Sequence, residues 1–409
     1  MMTTTDQQTI TLLEQGHVTS PKGFQAGGVH CGLRKTKLDF GWIHSEVPAN
    51  AAGVYTLNSF RAAPLHVTKD AIDTNGKLQT IITNSAVANS CTGPLGEENA
   101  REMQILTSEK MNVTQTDVAV LSTGVIGVQL PMEEIKQGIQ EMDKLNNYGP
   151  ERFEQAILTT DTVTKHAAVS CVIDGKTITV GGAAKGSGMI HPNMATMLAY
   201  MTTDANVEQA SLQSLLSDVT NDTYNMITVD GDSSTNDTVL LLANGSQNNN
   251  TLNEDHPEWP VFKKAVKTVS ETLAKKIAQD GEGATKLVAV HVLNALSKSS
   301  ARKVAKAVIS SNLVKTAVYG ADPNWGRIVC AVGYSEEPVD PDAVHVKLGD
   351  TVVVDEGLPV AFDEEASKAY LGNDQVDITV NLNQGTESAC AWGCDLTYQY
   401  VKINASYRT

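Results

Sequence analysis

The 409-residue sequence predicts a layered α/β (α+β) fold in which mixed β-sheets are sandwiched with helices. Two observations carry this. Strand-patterned and helix-patterned runs alternate along the chain, and several strand runs lie close enough to pair as hairpins, which a fully parallel, doubly wound sheet would not contain. No solenoid repeat or low-complexity block offers another architecture.

In chain order, LQTIITNSAVA (78–88) and DVAVLSTGVIG (117–127) read as buried strands that end in small-residue turns. EENAREMQILTSEKM (97–111) and MEEIKQGIQEMDKL (132–145) carry apolar residues at helical spacing. Alternation in AAVSCVIDGKTITVGGAAKG (167–186) predicts a hairpin turning at Asp174-Gly175. The apolar run TMLAYM then opens at Thr196. A helix follows over about 206–224, with Leu212, Leu215, Leu216 and Val219 on one stripe, and then a strand in VLLLANG (239–245). The polar stretch 246–260 is the clearest boundary. Beyond it come a long helix that stops at Gly281 and Gly283 and strands over 287–295 and 376–385.

Composition excludes some functions. A net charge of −16 supplies no basic stripe for phosphates, so nucleic acid is not a partner. The N-terminal segment 1–25 has no apolar run long enough for a signal peptide or a membrane span, and its acidic residues and lack of arginine do not resemble a transit peptide, so a cytoplasmic location is expected. The six cysteines form no C-x-x-C pair and have no neighbouring His to complete a zinc set. They read as buried, inert thiols, and no metal is expected.

Two motifs fail on inspection. GGAAKGSG (181–188) has its lysine before the second glycine, not after it as a P-loop requires. DGDSSTND (230–237) has Thr235 where an EF-hand needs glycine, and Leu241 where it needs glutamate. His191, in IHPN, reads either as a base or as a turn histidine held by packing.

The segment KGSGMIHPNMATMLAYMTTDA (185–205) is the most unusual. Glycines and Pro192-Asn193 lead into Ala195-Thr196 at the start of an apolar run. A small residue before a threonine in that position suits an N-terminal nucleophile. Thr196 Oγ would attack the preceding carbonyl, the resulting ester would hydrolyse, and the freed α-amine would then serve as the base for its own hydroxyl. A threonine after a turn is more often a plain strand or cap residue, so the segment alone leaves both readings open.

Other stretches change that balance. GFQAGGVHCGLR (23–34), STGVIG (122–127), TTDT (159–162), GMIHPNMATMLAYMTTDA (188–205), GDSSTNDT (231–238), DGEGATK (280–286), YGADPNWGRI (319–328) and INASYRT (403–409) together resemble, in order and over nearly the whole chain, the ornithine acetyltransferase (glutamate N-acetyltransferase) family of the cyclic arginine pathway.

The resemblance implies an N-terminal-nucleophile-like, self-processing fold cut at Ala195–Thr196 into an alpha chain (1–195) and a beta chain (196–409), associated as a heterotetramer or larger. It implies Thr196 as nucleophile and Thr123 and Gly124 as oxyanion hole, a hydroxyl and a backbone N–H that both donate to a tetrahedral oxyanion. Substrate-binding residues carried over are Thr162, Lys185, Thr196, Glu282, Asn404 and Thr409. Lys185 and Thr162 suit a carboxylate, and Glu282 an ammonium group. The implied reaction moves the acetyl group of N2-acetyl-L-ornithine to L-glutamate through acetyl-Thr196 in arginine biosynthesis. It needs no cofactor, although some family members also accept acetyl-CoA as donor. The rival readings are an aminopeptidase or amidohydrolase of the same self-processing kind, in which water takes the acyl group, and a metabolite-binding protein that is never cut.

Overall fold

The structure, a computed structural model, describes residues 10–191 and 197–406. Its architecture is the layered, mixed α/β arrangement that the sequence predicts. Among the described residues, nine strands form one sheet and seven a second.

The larger sheet is ordered Thr11–Leu12, Lys165–Ile173, Lys176–Lys185, Leu198–Thr203, Thr238–Ala243, Phe40–Tyr55, Lys77–Asn84 and Val118–Ser122, with Phe24–Val29 also paired to Phe40–Tyr55. Two neighbouring pairs are parallel, Leu198–Thr203 with Thr238–Ala243 and Lys77–Asn84 with Val118–Ser122. The hairpin at Asp174-Gly175 is present, and both turn residues have positive φ (51° and 70°), the geometry that matches strand twist in a two-residue loop.

The second sheet is built on Leu287–Ala295, flanked by Gln375–Asn381 and Glu387–Cys394. Ile227–Thr228 joins its edge, pairing with Trp392-Gly393. Helix Trp259–Gln279 buries Phe262, Val266, Val269, Leu273 and Ile277 in the core cluster that also holds Val169 and Val180 of the first sheet and Val290 and Trp392 of the second. That apolar stripe fastens the two sheets together.

The larger sheet takes strands from both sides of Ala195–Thr196. A break there would divide the polypeptide without dividing the sheet, since the ladder between Lys176–Lys185 and Leu198–Thr203 spans it. Several predicted elements are trimmed. The helix expected over 132–145 closes at Gln140, and that expected over 206–224 runs Gln209–Asp222. The 16-residue strand Phe40–Tyr55 has no counterpart in the sequence reading, because Pro48 and two small-residue stretches interrupt its alternation.

The expectation of six buried thiols is corrected: Cys31, Cys171 and Cys394 are buried, but Cys91 and Cys330 are exposed. Cys91 sits in the turn before helix Gly93–Met111, and Cys330 on the outer face of helix Trp325–Gly333, whose buried residues are Ile328, Ala331 and Val332. All six thiols are free. None of the helices is long and apolar enough to cross a membrane, among the described residues.

Candidate active site

A cavity of about 450 Å³ opens where several strand and helix ends meet. Thr123 and Gly124 follow strand Val118–Ser122, Lys185 ends strand Lys176–Lys185, and the loop 230–237 runs into strand Thr238–Ala243. Glu282 follows helix Trp259–Gln279, and Tyr400 and Asn404 come from helix Tyr398–Asn404. Chain ends of elements carry the site because a rigid framework holds them while their side chains stay free to face a ligand. A smaller cavity of about 160 Å³, beside Asp222, Lys275 and Trp392, holds none of the candidate catalytic or substrate-binding residues read from the sequence.

The Thr123-Gly124 turn is tightly built. Gly124 has φ 132°, and a Cβ there would stand 2.2 Å from the Ala86 carbonyl carbon, so only glycine fits. Thr123 N–H donates to Asn84 O at 3.0 Å and Val125 N–H to Ala86 O at 2.9 Å. The Gly124 N–H between them has no partner among the described residues. Thr123 Oγ accepts from Lys185 Nζ at 3.3 Å, which leaves its own hydrogen to be donated. Two donors therefore stand side by side at one wall of the cavity, the requirement for holding an oxyanion.

Lys185 is buried and also donates to Thr159 Oγ at 2.8 Å. Asp161 lies 4.0 Å from it and is bound by Lys165 Nζ at 2.7 Å and by the Gly186 N–H at 2.6 Å. Burial would raise the Asp161 pKa, but Lys185 and Lys165 outweigh it and hold the carboxyl well below the usual carboxylate range. Lys185 is pushed down from the ordinary lysine value by burial, with Asp161 opposing and Lys165 assisting.

Three carboxylates, Asp230, Asp232 and Glu282, also line the cavity. Asn404 Nδ2 donates to Glu282 Oε2 at 2.8 Å, and Tyr400 OH lies 3.2 Å from Asp230 Oδ2. Asp230 also accepts from the Met189 and Ile190 N–H groups at 2.7 and 2.9 Å, tying down the chain that leads toward residue 192. At Gly188 a Cβ would meet Glu282 Cδ at 2.3 Å, so a glycine lets the backbone pass beside that carboxylate. A buried cation and several carboxylates in one cavity suit a ligand bearing both charges.

Of the residues read from the sequence, Thr123, Gly124, Lys185, Glu282 and Asn404 converge here. Thr162 does not. Its Oγ donates to Asp280, its N–H reaches the same carboxylate at 3.1 Å, and it borders a neighbouring cavity with Lys276 and Gln279. Thr159 and Thr160 line the main cavity instead. Ala195, Thr196 and Thr409 lie outside the described residues. Met197 and Leu198, next in the chain, are described: the Met197 N–H donates to Asp237 Oδ1 at 3.0 Å, and Leu198 pairs with Lys185.

His191 bonds Thr228 Oγ at 3.0 Å, and burial, with Lys306 nearby, lowers its pKa to about 4, so the ring is neutral at pH 7. Sequence reasoning did not single out Asp230, Asp232, Asn236 or Tyr400. The acidic loop 230–237 was visible as a failed calcium loop and as part of the family resemblance, but neither reading gave these residues a role. Away from the cavity, Glu154 bonds the Nδ1 atoms of His17 and His166 at 2.7 and 2.8 Å. These three could hold a metal, and in this arrangement they satisfy one another.

Known proteins place these features in a family. The arginine biosynthesis bifunctional protein ArgJ of Oceanobacillus iheyensis is 58% identical over 408 residues, covering both chains in full. That of Staphylococcus aureus (strain COL) is 53% identical, covering 100% of this chain and 99% of its own. The crystal structure of the same-named protein from Bacillus halodurans superposes with a TM-score of 0.50 at 51% identity, covering 51% of this chain and 98% of that one. The ArgJ family itself matches residues 25–409, and the chain belongs to it.

Proposed function

We propose that this chain cuts itself between Ala195 and Thr196 and then transfers the acetyl group of N2-acetyl-L-ornithine to L-glutamate, in arginine biosynthesis. The observation that carries this is one cavity lined by two oxyanion donors beside a buried lysine and by the carboxylates Asp230, Asp232 and Glu282. Leu198 pairs with Lys185 across the ladder, so the chain emerging at Thr196 starts two residues from the lysine's partner. That the solved Bacillus halodurans chain, itself 98% covered, spans only 51% of this one supports a polypeptide divided near its middle.

Thr196 Oγ attacks the acetyl carbonyl while its α-amine takes the hydroxyl proton, and Thr123 Oγ and the Gly124 N–H hold the oxyanion. Ornithine leaves with that proton, and acetyl-Thr196 remains. Glutamate then enters the same site, its amine attacks the ester carbonyl, and N-acetylglutamate departs as the threonine hydroxyl is restored. Lys185 receives the substrate carboxylate, and Glu282, set by Asn404, receives an ammonium group. Thr409 is proposed as a further substrate-binding residue, on the family resemblance alone. Thr162 serves it through Asp280, or directly once its Oγ turns away from that carboxylate. No metal or prosthetic group takes part. Acetyl-CoA is proposed as a second donor, in keeping with the bifunctional designation of the relatives. The two chains from one precursor are proposed to assemble as a cytoplasmic heterotetramer or larger.

Incubating the purified protein with N-acetylornithine, with and without glutamate, tests the reading. Transfer predicts that ornithine release depends on glutamate. Equal release in both would favour the hydrolase instead, and a single 43.7 kDa species in an active preparation would refute self-cleavage. Acetyl-CoA and glutamate as sole substrates test the second donor.

A further inference from the structure

The loop 230–237 ends in a dipeptide, Asn236-Asp237, that bonds to both halves of the proposed reaction centre. The Asn236 side-chain amide donates to the Ser122 carbonyl at 2.8 Å and to the Ala88 carbonyl at 2.7 Å. Ser122 directly precedes Thr123, and Ala88 in turn takes the Val125 carbonyl through its N–H at 2.9 Å. Two donated bonds thus fix the turn that carries the oxyanion donors. The next residue, Asp237, accepts the Met197 N–H through Oδ1 at 3.0 Å, one residue beyond Thr196.

Both residues are buried, at 5% and 1% exposure, so their polar groups depend mainly on partners within the protein. Asp237 Oδ2 has no partner among the described residues. Burial pushes the Asp237 carboxyl above the usual carboxylate range, against the Met197 N–H bond and the charge of Lys185, which lower it.

We infer that Asn236 and Asp237 are positioning residues that set the distance between the nucleophile's backbone and the Thr123-Gly124 oxyanion hole. The inference rests on the reading of Thr196 as nucleophile. Adjacent residues on one rigid strand entry hold the two parts, so their separation varies little. A misplacement of about 1 Å between reacting groups costs on the order of 10²-fold in rate. The Asn236 amide and Asp237 Oδ1 both bond backbone groups, so ground-state binding should depend on them less than catalysis does.

The test measures self-cleavage on a denaturing gel, ornithine affinity by calorimetry, and kcat and KM for N-acetylornithine. Asn236→Ala is expected to slow cleavage and to lower kcat on the order of 10²-fold, with ornithine affinity and KM within about twofold of wild type. Should Asn236→Ala not fold, Asn236→Ser, which keeps one donor, is measured instead and should show a smaller loss of the same kind. Asp237→Asn retains the acceptor and cannot ionise, so it should restore most of the cleavage lost in Asp237→Ala. Wild-type kcat in Asn236→Ala overturns the inference, as does a loss of kcat matched by an equal loss of ornithine affinity. If the wild-type protein neither cleaves nor transfers acetyl groups, the reading of Thr196 fails instead, a result that the variants would not be needed to recognise.

Discussion

Asn404 donates its side-chain amide to Glu282 at 2.8 Å, joining the last helix to the loop after the core helix Trp259–Gln279 across 122 residues of sequence. The bond aims a carboxylate that would otherwise be a solvated loop acid. Glu282→Gln should raise KM for N-acetylornithine at least tenfold and change kcat less. If Asn404 works through Glu282, Asn404→Ala and the double variant should be no worse than Glu282→Gln alone, whereas independent roles would multiply. Steady-state kinetics on the four proteins decides between these.

Thr196→Ala should remain one 43.7 kDa chain and show no acetyl transfer. Thr196→Ser keeps a hydroxyl and should retain part of both activities. An active, uncut Thr196→Ala protein would sink the proposed mechanism.

Gly124→Ala would drive a Cβ to 2.2 Å from Ala86 at a left-handed backbone position. The turn must shift, at a cost on the order of 1–3 kcal/mol in stability. Displacing one oxyanion donor should lower kcat on the order of 10²–10³-fold. Melting temperature and kcat measured together separate the two effects, and a near-native kcat would remove Gly124 from the oxyanion hole.

Lys185 carries a lowered pKa because burial penalises its charge, and a bound carboxylate favours the charged form. Substrate binding should therefore take up protons. KM should rise as pH climbs through the lysine's lowered pKa, and Lys185→Met should flatten that profile while raising KM throughout. By contrast Thr162, bonded to Asp280, should affect KM less than Lys185 when changed to valine.

Asp161 contributes to stability through a depressed pKa. Its contribution is present above the unfolded carboxyl value near 3.8 and is lost as pH falls toward the folded value. Asp161→Asn should therefore melt lower than wild type at pH 7, with the gap narrowing below about pH 4. A gap independent of pH would show that the ion pairs with Lys165 and Lys185 contribute nothing.

Local chemistry that is written in consecutive residues was legible in the sequence. The Asp174-Gly175 hairpin, the apolar stripe of helix Trp259–Gln279 and the strands flanking STGVIG and VLLLA follow from periodicity and turn residues, which need no knowledge of distant neighbours. The candidate site residues came from motif resemblance, and five of them do meet in one cavity. What no local pattern encodes is which strand ends come together. The pairing of Lys176–Lys185 with Leu198–Thr203, and of the latter with Thr238–Ala243, was decided by long-range ladder bonds and by burial of both sheets on one helix. That tertiary arrangement alone set Asp230, Asn236 and Tyr400 into the cavity and turned Thr162 toward Asp280. The sequence by itself determined the elements and the chemical types of the site; the packing of the two sheets decided which of those side chains face the same ligand, because facing depends on through-space contacts that chain order does not specify.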